Sequence, residues 1–338
     1  MRTEPSGKAR CRLPGCVKAV KQSKSTSGFR IRKGRRTGND NLVAFLFLSP
    51  FLATFGVFLA YPLVYSFYLS LNKVTRLVNV FENLSFVGFE NFVDLARDGL
   101  FRWSLLMTLY YAGLMVPLGI AASLLLAVLL NNKLKLHNLF RTAFFLPYVL
   151  DLFVVGIVWT FIYSPHFGLL TRFFEALGIH FFSEQGFLGR PGTAMPAVVL
   201  VNVLKGAGFG MVLYLAALQN IPDSVYEAAD VDGAGWWQKL TRITVPLLRP
   251  VTLFMVIVGV VSALNAFAEI YAMTSGGPSV NVVGKAYGAT WVTGYYLFDT
   301  FYIKLKLGYA AAMSYVLLVI AVAISLVNIR FLRPKMEY

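Results

Sequence analysis

The stretch Ala194-Met-Pro-Ala-Val-Val-Leu-Val-Asn-Val-Leu-Lys205-Gly-Ala-Gly-Phe-Gly-Met-Val-Leu-Tyr-Leu-Ala-Ala-Leu218 runs for 25 residues with a single charge, Lys205. A helix needs about 20 mostly apolar residues to cross the hydrocarbon of a bilayer, so this stretch reads as a membrane span. Working outward, five more runs of the same kind lie at 42–71, 104–130, 142–163, 250–273 and 308–330. Pro50 and Pro62 predict a kink or an interfacial extension in the first of them. The expected fold is an all-α integral membrane protein with six transmembrane helices.

Composition agrees. The chain has 338 residues, 57% hydrophobic and 14% charged, whereas soluble domains average about 45–50% apolar and about 25% charged. Its 29 Phe supply too much apolar surface for a disordered chain. Two cysteines, Cys11 and Cys16, are too few for a disulfide-built secreted module.

The net charge of +15 is unevenly placed, and its placement orients the chain. Lys and Arg gather at the cytoplasmic ends of spans. With the N-terminus inside, the N-terminal tail, the 131–141 loop, the 219–249 loop and the C-terminus hold 12, 3, 3 and 3 basic residues. The opposite side holds nine, from Lys73 to Lys306, and Lys205 sits within a span. Six spans with both termini cytoplasmic follow. The division expected is a basic disordered cytoplasmic tail over 1–40 and a transmembrane domain over 41–338. The tail lacks the apolar run of a signal peptide, and no apolar segment precedes Leu13-Pro14-Gly15-Cys16 to make it a lipoprotein box. It reads as an orientation signal or as a contact with anionic membrane lipid. With Phe29 its single aromatic residue, it does not read as a nucleic-acid arm.

The 219–250 loop is the most informative segment outside the spans. It reads Gln219-Asn-Ile-Pro-Asp-Ser-Val-Tyr-Glu227-Ala-Ala-Asp-Val-Asp-Gly233, then Ala-Gly-Trp-Trp-Gln-Lys-Leu-Thr-Arg-Ile243-Thr-Val-Pro246. Ser224 and Glu227 have capping-box spacing, predicting a helix just after Pro222. Ala228 and Ala229 give that helix a small face, and Gly233 should end it. Trp236, Trp237, Leu240 and Ile243 predict a second helix, with Pro246 leading into the next span. A helix–turn–helix with exposed bulk and no catalytic constellation suits docking into a partner's groove. A self-packed amphipathic loop has the same pattern.

The segment resembles the EAA motif of permease subunits in binding-protein-dependent ABC importers: Glu227-Ala-Ala, three residues, Gly233, nine residues, Ile243, one residue, then Val245-Pro246 where Leu-Pro is usual. The remainder resembles the carbohydrate branch, in particular the larger maltose- and glycerol-phosphate-type permeases. Val87-Gly-Phe-Glu-Asn91-Phe92, Phe140-Arg141-Thr142 to Pro147, Thr274-Ser-Gly-Gly-Pro278 and Leu307-Gly-Tyr309-Ala-Ala-Ala carry that likeness. The resemblance implies the type I ABC importer permease fold. It also implies that Glu227, Ala228, Ala229, Asp232, Gly233 and Pro246 belong to a coupling loop seated on a cytoplasmic ATPase. The partners implied are a second homologous permease, two copies of that ATPase, and an extracytoplasmic sugar-binding protein. The location implied is a bacterial plasma (inner) membrane.

The chain lacks a phosphate loop: Gly284-Lys285 is followed by Ala286, and position 279 is Ser. ATP and Mg are therefore expected on the partner, with no cofactor in this chain and no catalytic role. His137, His166 and His180 show no metal-ligand spacing, and no nucleophile–base set stands out within the spans. Gly206, Gly208 and Gly210 read as a helix-packing stripe.

Polar groups within spans mark transport paths by default. The candidates are Lys205, Ser262, Asn265, Glu269 and Tyr271, with Asn202 nearby. Asn265 and Glu269, four apart, are expected on one helix face, and Lys205 and Glu269 could pair across two spans. Either they form a satisfied pair or they line a cavity in which sugar hydroxyls exchange water for fixed partners. Trp159, Tyr163, Tyr214 and Tyr315 are candidates for stacking on a sugar. By resemblance, the span before Gly276-Gly277-Pro278 touches sugar. The rival class is a subunit of an ion-coupled secondary carrier or channel, which predicts carboxylates in several spans and internal repeats. Glu269 is the one clear intramembrane carboxylate.

Overall fold

The computed structural model describes residues 38–74, 84–131, 136–282 and 284–332; the basic tail before residue 38 lies outside them. The chain divides into two compact units, Met1–Val57 and Phe58–Tyr338. The first contains α1 (Gly38–Phe55), with Pro50 inside it. Beyond a π turn over Gly56–Ala60, α2 (Tyr61–Ser70) places Pro62 in its first turn. Between Pro50 and Pro62 lies this π turn, and Phe45–Ser70 is not among the stretches bent by more than 40°.

In the second unit, a two-stranded hairpin (β1, Asn72–Val74; β2, Leu84–Phe86) and α3 (Glu90–Arg97) lead into α4 (Gly99–Leu130). There follow α5 (His137–Val149), α6 (Leu152–Ile162), α7 (Leu169–Ala176) and α8 (Pro191–Gln219). The loop elements are α9 (Asp223–Val231), α10 (Trp236–Lys239) and α11 (Val245–Leu247), the last two joined by a π turn. Next come α12 (Arg249–Leu264), α13 (Ala268–Met273), a hairpin (β3, Ser279–Val282; β4, Lys285–Gly288), α14 (Thr293–Phe298) and α15 (Leu307–Leu332).

Four helical stretches are long and apolar enough to span a membrane: Phe45–Ser70, Gly99–Leu130, Pro191–Gln219 and Leu307–Arg330. Two bent pairs raise the number to six if each is one span. The run 142–163, expected as one helix, is α5 and α6 bent by 99°. Its cause is local. Pro147 lacks an N–H, and Asp151 serves instead as the cap of α6, its Oδ1 accepting from the N–H groups of Phe153 (2.9 Å) and Val154 (3.4 Å).

The run 250–273 also differs from expectation. Helix α12 stops at Leu264, and Asn265 and Phe267 leave helical geometry before α13 begins. The carbonyl freed at Leu264 accepts the hydroxyl of Thr293 (3.1 Å), which lies 3.0 Å from the hydroxyl of Thr108. All three residues are buried. The Leu264 carbonyl is thus hydrogen-bonded at the break, as a helix interruption in an apolar region requires.

The main core forms where α4 and α8 lie together, around Tyr111, Met195, Val198, Val199 and Ile270. Of the glycine stripe in α8, Gly208 fits the packing reading closely: a Cβ there would sit 2.0 Å from the carbonyl of Phe144 on α5. Gly210 abuts Ser123 on α4, whereas a Cβ at Gly206 would meet nothing within 4 Å.

Candidate functional site

The loop between α8 and α12 is built as two short helices around a left-handed turn. Helix α9 starts at Asp223 behind Pro222 with no side-chain cap, so the expected Ser224–Glu227 capping box does not form. Gly233 ends it at φ +72°, with the Gly233 N–H on the carbonyl of Asp230 (3.1 Å) and the Ala234 N–H on that of Ala229 (2.9 Å). These two bonds are the glycine C-cap motif foreseen from Gly233. The following helix opens at Gly235, whose N–H donates to Gln238 Oε1 at 3.1 Å. Lys239 bridges back to Asp230, and Tyr226 shares a hydrogen bond with Thr244 (3.1 Å), fastening the helices to each other.

Of the residues expected at a coupling surface, Glu227, Ala228, Asp232 and Gly233 are exposed, Pro246 is half-buried and Ala229 is buried. The small face is therefore divided: Ala229 packs inward and Ala228 looks out. The arrangement offers a convex, acid-rich turn held by backbone capping bonds.

The polar residues within the spans are only partly brought together. Glu269 is 4% exposed, and its Oε1 accepts the hydroxyl of Tyr111 on α4 at 2.9 Å. Lys205 does not pair with it. The Lys205 ammonium donates to the carbonyl of Tyr148 (3.1 Å), at the end of α5, and lies 5.2 Å from the Tyr148 ring centre. A cation at a helix C-terminus answers carbonyls that have no partner in their own helix, so the α5–α6 break takes Lys205 for itself. Nor do Asn265 and Glu269 share a helix face, because the chain breaks between them; Asn265 folds back to the carbonyl of Val261 (2.8 Å). Asn202 likewise bonds back to Val198.

Asn265 and Phe267 instead line a cleft of about 450 Å³ with Phe298, Tyr302, Tyr65 and Ser314. Beside it runs a ladder of rings: Phe153–Tyr271 at 6.1 Å, Tyr271–Phe267 at 5.4 Å, Phe267–Phe298 at 4.3 Å and Phe298–Tyr302 at 4.9 Å. Ser262 and Tyr271 are exposed. Of the stacking candidates, Tyr163 and Tyr214 are buried and bonded to Ala197 O and Thr252. Trp159 packs on Tyr163, and the Tyr315 hydroxyl holds Leu63 O at 2.5 Å. Only Tyr271 of the residues foreseen belongs to the ladder.

Sequence reasoning missed a second polar centre. Asp98 caps α4 through Leu100 N (2.8 Å), while its Oδ2 accepts the hydroxyls of Tyr296 (2.5 Å) and Tyr309 (2.7 Å). Burial pushes the Asp98 carboxyl up, but those hydroxyls and the backbone N–H groups of Leu100 and Phe101 outweigh it and hold it below its ordinary value. It borders a polar cleft of about 630 Å³ with Lys73, Arg97 and Lys306. An Asp before a long apolar run was a visible N-cap signal, but its tyrosine partners lie about 200 residues away and left none. Among the described residues, no three His, Cys, Asp or Glu side chains gather as a metal site.

Three comparisons bear on this arrangement. The family described as "Binding-protein-dependent transport system inner membrane component" matches residues 104–337. The chain is 32% identical over 295 residues to the sn-glycerol-3-phosphate transport system permease protein UgpA of Yersinia enterocolitica, covering 87% of this chain and 95% of that one. It is 33% identical over 292 residues to the lactose transport system permease protein LacF of Rhizobium radiobacter, covering 86% and 94%. Its fold is similar to a chain in the crystal structure of a bacterial ABC transporter involved in the import of the acidic polysaccharide alginate. There the TM-score is 0.72 at 24% identity, covering 88% of this chain and 98% of that chain. The protein belongs to the inner-membrane permease subunits of binding-protein-dependent ABC transport systems, and it is a transport component, not an enzyme.

Proposed function

We propose that this chain is one of two homologous permeases in an ATP-driven importer for a sugar or sugar derivative. Relatives named for lactose and for glycerol-3-phosphate support that substrate class. The family's description supports an extracytoplasmic binding protein as the donor of substrate. The transmembrane domain occupies 41–338, with six spans at about 42–71, 104–130, 142–163, 194–218, 250–273 and 308–330 and with the tail and the C-terminus cytoplasmic. Two ATPase subunits bind ATP and Mg; this chain binds neither.

The observation that carries the reading is the capped helix–turn–helix of α9 and α10, exposed at Glu227, Ala228, Asp232 and Gly233. A turn fixed by its own backbone can transmit a push without first having to be ordered. The ATPases close on ATP and move the loop; the paired permeases then rock between outward- and inward-open forms. Coupling runs through Glu227, Ala228, Ala229, Asp232, Gly233 and Pro246. The substrate path runs along Ser262, Asn265, Glu269 and Tyr271 and the adjoining rings, with Lys205 at its border. Faces of sugar rings stack on aromatic side chains, and Asn265 supplies an amide beside them.

Glu227→Lys tests the reading. Glu227 is exposed on α9, so the variant should insert and fold as the parent does. The expected result is loss of ATPase copurification and of transport. A Glu227→Lys protein that still retains the ATPase and transports at the parental rate would overturn the coupling assignment.

A further inference from the structure

The helix that follows Gly233 has a second exposed side, distinct from the turn that carries the docking reading. Trp236–Leu247 meets α12 at an angle of 66°. Its inner side is packed: Leu240 and Thr244 line a small cavity with Val128, near the end of α4, and Leu218, near the end of α8, and the exposed Trp236 stands at its rim. The next residue, Leu248, is buried among residues of the same two span ends. The helix therefore lies across the end of the bundle, at the level where spans leave the hydrocarbon.

Its outer side is strongly apolar for a segment at that level. Trp236 and Trp237 are 64% and 66% exposed, and Val245 and Leu247 are exposed as well. Arg242 and Arg249 are exposed too. Lys239, by contrast, has its charge answered by Asp230, and among the described residues neither arginine is in an ion pair. Tryptophan concentrates at membrane interfaces. A short helix with Trp and aliphatic residues beside basic ones lies in the interface plane and gains from anionic headgroups.

We propose that Trp236–Leu247 lies in the headgroup layer of an anionic bilayer, with the tryptophans at the acyl boundary and Arg242 and Arg249 on lipid phosphates. The bilayer is favoured over the ATPase as occupant because the helix is continuous with one span and packed on the ends of two others. This does not depend on how Glu227 to Gly233 dock.

The test uses the full chain with its partner permease in nanodiscs, first without and then with the ATPase, with Trp103, Trp159 and Trp291 replaced by Phe and the partners' tryptophans likewise replaced, so that only Trp236 and Trp237 emit. Assembly is checked first by size-exclusion chromatography. Phosphatidylcholine brominated near the headgroup end of the acyl chain should quench the emission roughly twofold or more. Phosphatidylglycerol should deepen the quenching, and Arg242→Gln with Arg249→Gln should abolish that increment. The quenching should persist when the ATPase is bound. Absence of quenching, or its loss on ATPase binding, would overturn the proposal and assign the face to the protein partner. Quenching indifferent to phosphatidylglycerol would overturn the arginine–phosphate contact. Glu227→Lys should leave the quenching unchanged, so the two readings fail separately.

Discussion

Replacing Gly233 isolates what the turn contributes, because a Cβ there would touch no heavy atom within 4 Å. The cost of a side chain is therefore that of the backbone conformation alone. At φ +72°, an ordinary L-residue is disfavoured by about 1–2 kcal/mol. That lowers the population of the capped turn by a factor of roughly 5–30. Asparagine tolerates the left-handed region better than alanine does, and a β-branched residue tolerates it worst. The expected order is thus Gly233, Gly233→Asn, Gly233→Ala, Gly233→Val, with the last close to inactive. The assay is binding-protein-stimulated ATP hydrolysis in proteoliposomes, alongside copurification of the ATPase. If Gly233→Ala matched the parent, the left-handed turn would not be limiting. If Gly233→Asn were as damaging as Gly233→Val, the partner would be excluding any side chain, and the conformational argument would fail.

Lys205→Met removes the donor to the exposed Tyr148 carbonyl; transport should fall while assembly persists, with Lys205→Arg recovering part of it. Gly208→Leu should destabilise by about 1–3 kcal/mol or more through overpacking against α5, whereas Gly206→Ala should leave the melting temperature near that of the parent. Tyr309→Phe deletes a hydrogen bond to an ionised carboxylate, a loss of about 1.5–3 kcal/mol readable as a drop in melting temperature. Because the folded-state pKa of Asp98 is depressed, its contribution is fully present above the unfolded value of about 3.9 and is lost as pH falls through the folded value. Asp98→Asn should flatten that acid limb in a melting series; an unchanged limb would refute the assignment.

The features legible in sequence were those written locally. Gly233 after a helix-sized run, with a bulky aromatic pair beyond it, marked where the first helix ends. The apolar runs gave the spans because their length is imposed by the bilayer and not by neighbours. One expectation failed because side-chain spacing maps to a common face only along an unbroken helix. Asn265 and Glu269 sit on either side of a break, so a spacing of four carries no meaning there. At Pro147 and Asp151 the signal was present, a residue without an N–H followed by a strong cap, but it was absorbed into a long apolar run. Tyr111 and Glu269 lie 158 residues apart. Nothing in an apolar run already rich in aromatics marked that tyrosine as the carboxylate's partner.

The freed carbonyl at Leu264 is answered by a rotor, not by a fixed amide. The Thr293 hydroxyl lies 3.1 Å from Leu264 O and 3.0 Å from the Thr108 hydroxyl, which itself reaches Ser104 O at 2.8 Å. A hydroxyl turns about its own bond and can donate and accept at once. With Thr108 donating to Ser104 O and Thr293 to Leu264 O, the one proton of each hydroxyl is already committed to a backbone carbonyl. The fifth run is thereby tied across its break to α14: its freed carbonyl is answered by a side chain from that helix and not by the next turn of its own.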